Sequence, residues 1–385
     1  MTTCFSRLLR TLTFSLLLLS PTVAAAWTNG QNAKYVMGQS NFSNHLATAG
    51  DTGMYNPHDV AIDETHNKLY VVDNEHHRVM RFSLPITSNN PAAELVFGQP
   101  TFTEYTFGLS RNTFENPTAL AVDTDGRLWV LDQYNHRVVW FNNAYAVNSN
   151  QPDADGVLCQ PDFTSKTSSA NGMYYPRGLV IDTTGTLYIA DTMHNRVLRF
   201  GNAASKSGST SDKANGVLGQ SDLSSTSAAL SRSGMSSPRG LALEDGSLFV
   251  ADRSNARVLR FDNVASKANG AEADGVLGQN SYTTNTANLT RWGMEAPSRV
   301  LFDAFGRLYV SDGYRYDRIL IFSATNARID GADAEAVLGA TDFTTTNSGC
   351  SNSRLSMDSS GAGMAFQASQ RMLFVADTDN YRVMV

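Results

Sequence analysis

Short apolar runs that end on an aspartate recur along the chain. They are Leu69-Tyr70-Val71-Val72-Asp73, Leu128-Trp129-Val130-Leu131-Asp132, Leu187-Tyr188-Ile189-Ala190-Asp191, Leu248-Phe249-Val250-Ala251-Asp252, Leu308-Tyr309-Val310-Ser311-Asp312 and Leu373-Phe374-Val375-Ala376-Asp377. Their aspartates are separated by 59, 59, 61, 60 and 65 residues. A fixed period of this kind settles architecture before any motif does. An apolar run such as Gly178-Leu179-Val180-Ile181 precedes each copy, usually across a turn containing glycine, which predicts a two-stranded hairpin. A third strand carrying Arg-Val follows, as in Arg196-Val197-Leu198-Arg199-Phe200. After a polar loop comes a fourth, such as Val96-Phe97-Gly98-Gln99 or Val217-Leu218-Gly219-Gln220.

Four strands per repeat make one propeller blade. The sixth repeat stops at its third strand, Arg382-Val383-Met384-Val385, whereas Tyr35-Val36-Met37-Gly38-Gln39 matches the fourth-strand pattern ahead of the first repeat. The expected fold is therefore all-β, a six-bladed β-propeller with four-stranded blades, closed by an N-terminal strand that completes the last blade. Such closure removes an exposed sheet edge.

At this point the residues resemble a known family. Pro176-Arg177-Gly178-Leu179, followed by Leu187-Tyr188-Ile189-Ala190-Asp191 and Asn195-Arg196-Val197, is similar to the NHL repeat. Asn135-His136-Arg137-Val138 and His194-Asn195-Arg196-Val197 are close variants of its Asn-His-Leu signature. The resemblance spans about residues 35 to 385 and is specific for the fold. It implies little about activity, because NHL propellers include RNA-binding, protein-interaction and sensor modules as well as an amidating lyase.

The first residues add a processing step. Arg7 and Arg10, the apolar stretch Leu12 to Leu19, and Ala24-Ala25-Ala26 before Trp27 read as a secretory signal peptide cleaved after Ala26. The stretch is too short for about 30 Å of hydrocarbon. The expected organisation is a signal peptide over 1–26 and one propeller over 27–385, secreted or periplasmic, monomeric and without a membrane span. Cleavage removes both arginines and no acid, taking the formal charge from −6 to −8. That sign disfavours nucleic acid. Of three cysteines only Cys159 and Cys350 remain, so packing rather than a disulfide framework must hold the fold.

Candidate chemistry is sparse. The pairs Asp73 and Arg78, Asp132 and Arg137, Asp191 and Arg196, Asp252 and Arg257, and Asp377 and Arg382 keep a spacing of five, and Asp312 and Arg318 a spacing of six. They are expected to tie the second strand to the third within a blade. The acidic loops Asp153-Ala154-Asp155-Gly156, Glu272-Ala273-Asp274-Gly275 and Asp330-Gly331-Ala332-Asp333 are too sparse for a calcium cage and are expected to be solvated turns. His76-His77 is likewise expected to be solvated. The sequons at Asn41 and Asn288 matter only in a host that glycosylates.

The two residues after each repeat's Pro position should stand near the mouth of the central channel. They are His58-Asp59, Thr118-Ala119, Arg177-Gly178, Arg239-Gly240, Ser298-Arg299 and Ala362-Gly363. Arg177, Arg239 and Arg299 gathered with His58 and Asp59 would form an anion site in an acidic protein, because guanidinium forks suit carboxylate or phosphate. The resemblance implies a zinc test, since the amidating lyase holds zinc through histidines just after this Pro on three blades. Only His58 matches, so no metal, no cofactor and no catalytic residue is expected. No nucleophile elbow, phosphate loop or Cys-x-x-Cys pair occurs. The expected function is a binding propeller for a protein partner or an anionic small molecule. The alternative is a lyase or hydrolase working at the channel mouth.

Overall fold

The computed structural model describes residues 26–168, 172–206, 213–346, 348–358 and 360–385. The proposed signal peptide lies outside them except for Ala26. Among the described residues six four-stranded antiparallel sheets follow one another around the chain. The first blade consists of Pro57–Asp63, Lys68–Asp73, Arg78–Ser83 and Leu95–Phe97. The last consists of Met364–Gln367, Met372–Asp377 and Arg382–Met384, with Val36–Met37 as its fourth strand. Val36 pairs with Met384 and Met37 with Val383. No helix among the described residues is long and apolar enough to cross a membrane.

The apolar runs are nearly continuous because each blade is packed on both faces. Side chains alternate across a strand, so one set meets the preceding blade and the other the following blade. Tyr70, Val72 and Val79 thus pack with Leu120, Val130 and Val139 of the second blade, and Trp129 and Leu131 pack with Leu187 and Ile189 of the third. The methionines of the repeated Gly-Met element, Met54, Met173, Met235 and Met294, are fully buried in these seams. Met54, Met235 and Met294 touch the glycines that end the fourth strands. At the last seam Trp27 stands edge-on to Tyr309 and donates from Nε1 to its hydroxyl at 2.7 Å.

Each spaced Asp–Arg pair forms a buried knot that does more than join two strands. Asp73 accepts Arg78 Nε at 2.8 Å and the Tyr55 N–H at 2.7 Å. The Arg78 Nη atoms donate to the carbonyls of Gly50, Gly53 and Phe102. The knot therefore pins the loop entering the blade as well as the turn inside it. The same Nε bond measures 2.8, 2.8, 2.7, 3.1 and 2.6 Å in the other five blades, and all twelve side chains are inaccessible. In four blades the turn is a single 3-10 turn followed by a left-handed residue, His136, Asn195, Ala256 or Tyr381, directly before the arginine.

One expectation about loops is corrected and another is extended. His76 is buried, with Nδ1 2.8 Å from Asp73 Oδ2, and His194 holds Asp191 in the same way at 2.9 Å, so these turn histidines belong to the knots. The acidic loops are solvated, with Asp153, Asp155, Glu272, Asp330 and Asp333 exposed, and three of their aspartates also bond backbone. Asp155, Asp274 and Asp330 accept the backbone N–H groups of Asn142, Asp262 and Val276 at 2.6, 2.8 and 2.9 Å, tying loops to strands.

Candidate functional site: the channel mouth

Antiparallel order fixes which loops share a face. The loop into each inner strand and the turn between second and third strands open on one side, and the turn between third and fourth strands opens on the other. Inner strands crowd the axis. A Cβ at Gly178 would lie 2.1 Å from the Arg239 carbonyl, and one at Gly363 would lie 2.4 Å from the His58 carbonyl, so neither position admits a larger residue. Near the axis the polar side chains form two tiers.

Arg299 makes the lower tier. Its Nη2 donates to the Thr118 carbonyl at 2.7 Å and its Nη1 to the Arg177 carbonyl, so one side chain of the fifth blade bridges the channel to the second and third. Asp59 also lies low, accepting the Leu120 N–H at 3.0 Å. Burial raises its carboxyl, against the pull of Arg299 and the Leu120 amide. Below this bar lies a cavity of about 250 Å³ lined by Val60, Leu120, Leu179, Leu241, Val300 and Met364. Asp59 and Arg299 therefore cap the lumen, whereas the other candidates stand above them.

The upper tier holds His58, Arg177, Arg239, Asp358, Ser360 and Arg253. Arg177 Nη1 donates to Ser360 Oγ at 2.8 Å, and His58 Nε2 stands 3.6 Å from Asp358 Oδ2, too far for a hydrogen bond. Burial lowers the His58 pKa, opposed by Asp358 and reinforced by Arg299 and Arg177, which keeps the ring neutral near pH 7. Burial would raise the Asp358 carboxyl, but His58, the Ser360 N–H at 2.6 Å and Arg177 hold it at about 2. Arg239 is pushed well down by burial and then by repulsion from Arg177, Arg253 and Arg299, with Asp358 opposing. A guanidinium stays charged under such pressure. Burial is the larger cause of the depression, and the neighbouring like charges add to it.

Around the mouth the face is aromatic. Leu46, Tyr55, Tyr105, Phe107, Tyr134, Met193 and Tyr314 are seven of the eight exposed large apolar side chains among the described residues, and all lie on loops of this face. Tyr314 occupies the extra position of the fifth blade's six-residue spacing. It adopts φ of 72°, uncommon for a bulky residue, and stands 55% exposed, 5.9 Å from the Arg253 guanidinium.

The sequence profile of the NHL repeat matches residues 54–82, 114–141 and 173–200. The chain is an NHL-repeat β-propeller. No curated protein sequence matches it. Three solved structures are similar to it at low identity. A gluconolactonase from Xanthomonas campestris is 13% identical with a TM-score of 0.47, covering 94% of this chain and 98% of its own. A streptogramin B lyase is 12% identical with a TM-score of 0.45, covering 89% and 95%. A chain of the nidogen/laminin complex is 15% identical with a TM-score of 0.43, covering 73% and 83%.

In this NHL propeller the structure brings His58, Arg177, Arg239 and Arg299 to one end of the channel and turns Asp59 toward the lumen. Sequence reading missed Asp358, Ser360 and Arg253, which come from loops rather than from the positions after Pro. A signal existed for the first two. The last repeat runs 65 residues from Asp312 to Asp377, and the lengthened loop entering the sixth inner strand carries Asp358 and Ser360. Among the described residues no cluster of His, Cys, Asp or Glu could hold a metal ion.

Proposed function

We propose that this NHL propeller is a binding protein that takes a small anion at its channel mouth. The observation that carries the reading is the gathering of Arg177, Arg239, Arg253 and Arg299, which repel one another, around Asp358. An added negative charge relieves that repulsion, and low-dielectric walls strengthen the gain. The guanidinium groups also supply forked donors for a carboxylate or phosphate. Calorimetric titration with citrate and inorganic phosphate tests this. Saturable binding of at least one is expected, weakened about tenfold or more by Arg177→Ala with Arg239→Ala. No binding by the parent, or unchanged binding by the double variant, overturns the reading.

A second reading has its own observation, the seven exposed apolar side chains on the same face. Exposed apolar side chains gathered on one face suit a protein partner that docks across the loops. Replacing Tyr105 and Phe107, about 60 and 62% exposed, by serine should abolish cross-linking of a partner through this face. Equal cross-linking of parent and variant argues against it.

A further inference from the structure

One position in the turn between second and third strands is compared most easily across blades. Asn74 and Thr192 both occupy it, and each donates across the seam to the carbonyl of the next blade's Pro, Pro117 at 2.7 Å and Pro238 at 2.8 Å. Thr378 occupies it in the sixth blade and bonds the Gly361 carbonyl at 3.2 Å. Gln133 and Arg253 stand there in the second and fourth blades, yet Gln133 Nε2 and Arg253 Nε are buried without a hydrogen-bond partner among the described residues. The same is true of Thr118 Oγ1, Arg299 Nε and both ring nitrogens of His58. Orphaned polar atoms are rare inside proteins because each carries a desolvation cost. His58, Arg253 and Arg299 belong to the mouth already described, the Thr118 carbonyl holds Arg299 there, and Gln133 directly precedes Tyr134, which lies near Arg177.

Their chemistry is mixed. The arginine and glutamine atoms are donors, but a neutral His58 presents one bare ring nitrogen that needs a donor, and the Thr118 hydroxyl both gives and accepts. A phosphate monoester dianion or a simple carboxylate offers acceptors only. Hydroxyl groups beside the carboxylate offer both. Tyr134 and Tyr314 flank the arginines from the second and fifth blades: Arg177 lies within electrostatic reach of Tyr134, and Arg253 faces the Tyr314 ring. Their rings supply the apolar faces on which the C–H side of a sugar ring rests.

Building on the anion-binding reading, we propose that the ligand is a hydroxylated ring carboxylate, a sugar acid. Its carboxylate meets Arg177, Arg239 and Arg253, and its hydroxyls meet His58, Thr118 and Gln133. Three probes of the intact propeller separate the elements of the claim: D-galacturonate, D-galactose with the hydroxyls alone, and cyclohexanecarboxylate with the ring and charge alone. Galacturonate should bind at least about tenfold tighter than either. Thr118→Val and Gln133→Leu should each weaken galacturonate severalfold and leave cyclohexanecarboxylate unchanged, a difference that a mere folding defect cannot produce. If cyclohexanecarboxylate matches galacturonate, the sugar-acid inference fails while the anion site stands. If galactose matches galacturonate, the anion site itself fails, and with it this inference. If neither side-chain change discriminates between the probes, these atoms do not contact the ligand.

Discussion

The Asp–Arg knots and the channel mouth both bury arginines, and they differ in what surrounds the charge. In a knot, Arg196 meets Asp191 through Nε and the carbonyls of Gly172 and Leu223 through its Nη atoms, so charge and donors are satisfied together. At the mouth, Arg177, Arg239, Arg253 and Arg299 repel one another around Asp358, and several neighbouring polar atoms have no hydrogen-bond partner among the described residues. The first arrangement repeats six times and stabilises; the second occurs once and is costly to the fold. An unfavourable arrangement at the mouth of a channel is what a ligand site looks like before its ligand.

The sharpest way to break this comparison is to truncate one arginine of each kind. Arg196→Met leaves Asp191 buried without its guanidinium, with only His194 and the Tyr174 N–H as partners, and should cost about 3–5 kcal/mol in denaturant unfolding. Arg177→Met removes a repelled charge and should change stability by less than about 1 kcal/mol in either direction. Equal losses at the two positions would mean that the mouth arginines are structural after all.

A smaller effect lies in pH. Burial, with Arg299 and Arg177 adding to it, holds the His58 pKa below the usual 6.5, against Asp358. A bound anion favours the protonated ring, so binding takes up a proton and affinity rises as pH falls from 8 toward 5, by less than tenfold per unit. Without ligand the sign is opposite for folding: the stability tied to this neutral ring is complete above 6.5 and declines as pH falls. His58→Gln should flatten the calorimetric pH profile of anion affinity. A profile unchanged by that substitution removes His58 from the site.

Two departures from the repeat carry much of the mouth. The six-residue gap from Asp312 to Arg318 in the fifth blade contains Tyr314, and the longer entry into the last blade delivers Asp358 and Ser360. One irregularity is visible in the Asp–Arg spacing and the other in the aspartate spacing, but a spacing says only that a loop is longer, not where its side chains arrive.

The sequence alone determined the repeat, the number and order of strands, and the Asp–Arg pairing, because each rests on contacts local to one blade or between neighbours in a fixed register. It also picked out Arg177, Arg239 and Arg299, since equivalent positions in a radial repeat must approach one axis. Only the tertiary structure decided that Arg299 bridges the channel, that Asp59 turns to Leu120, and that Asp358 faces His58. Those outcomes depend on how far side chains from different blades reach across a shared space, and that distance exists only once the ring has formed.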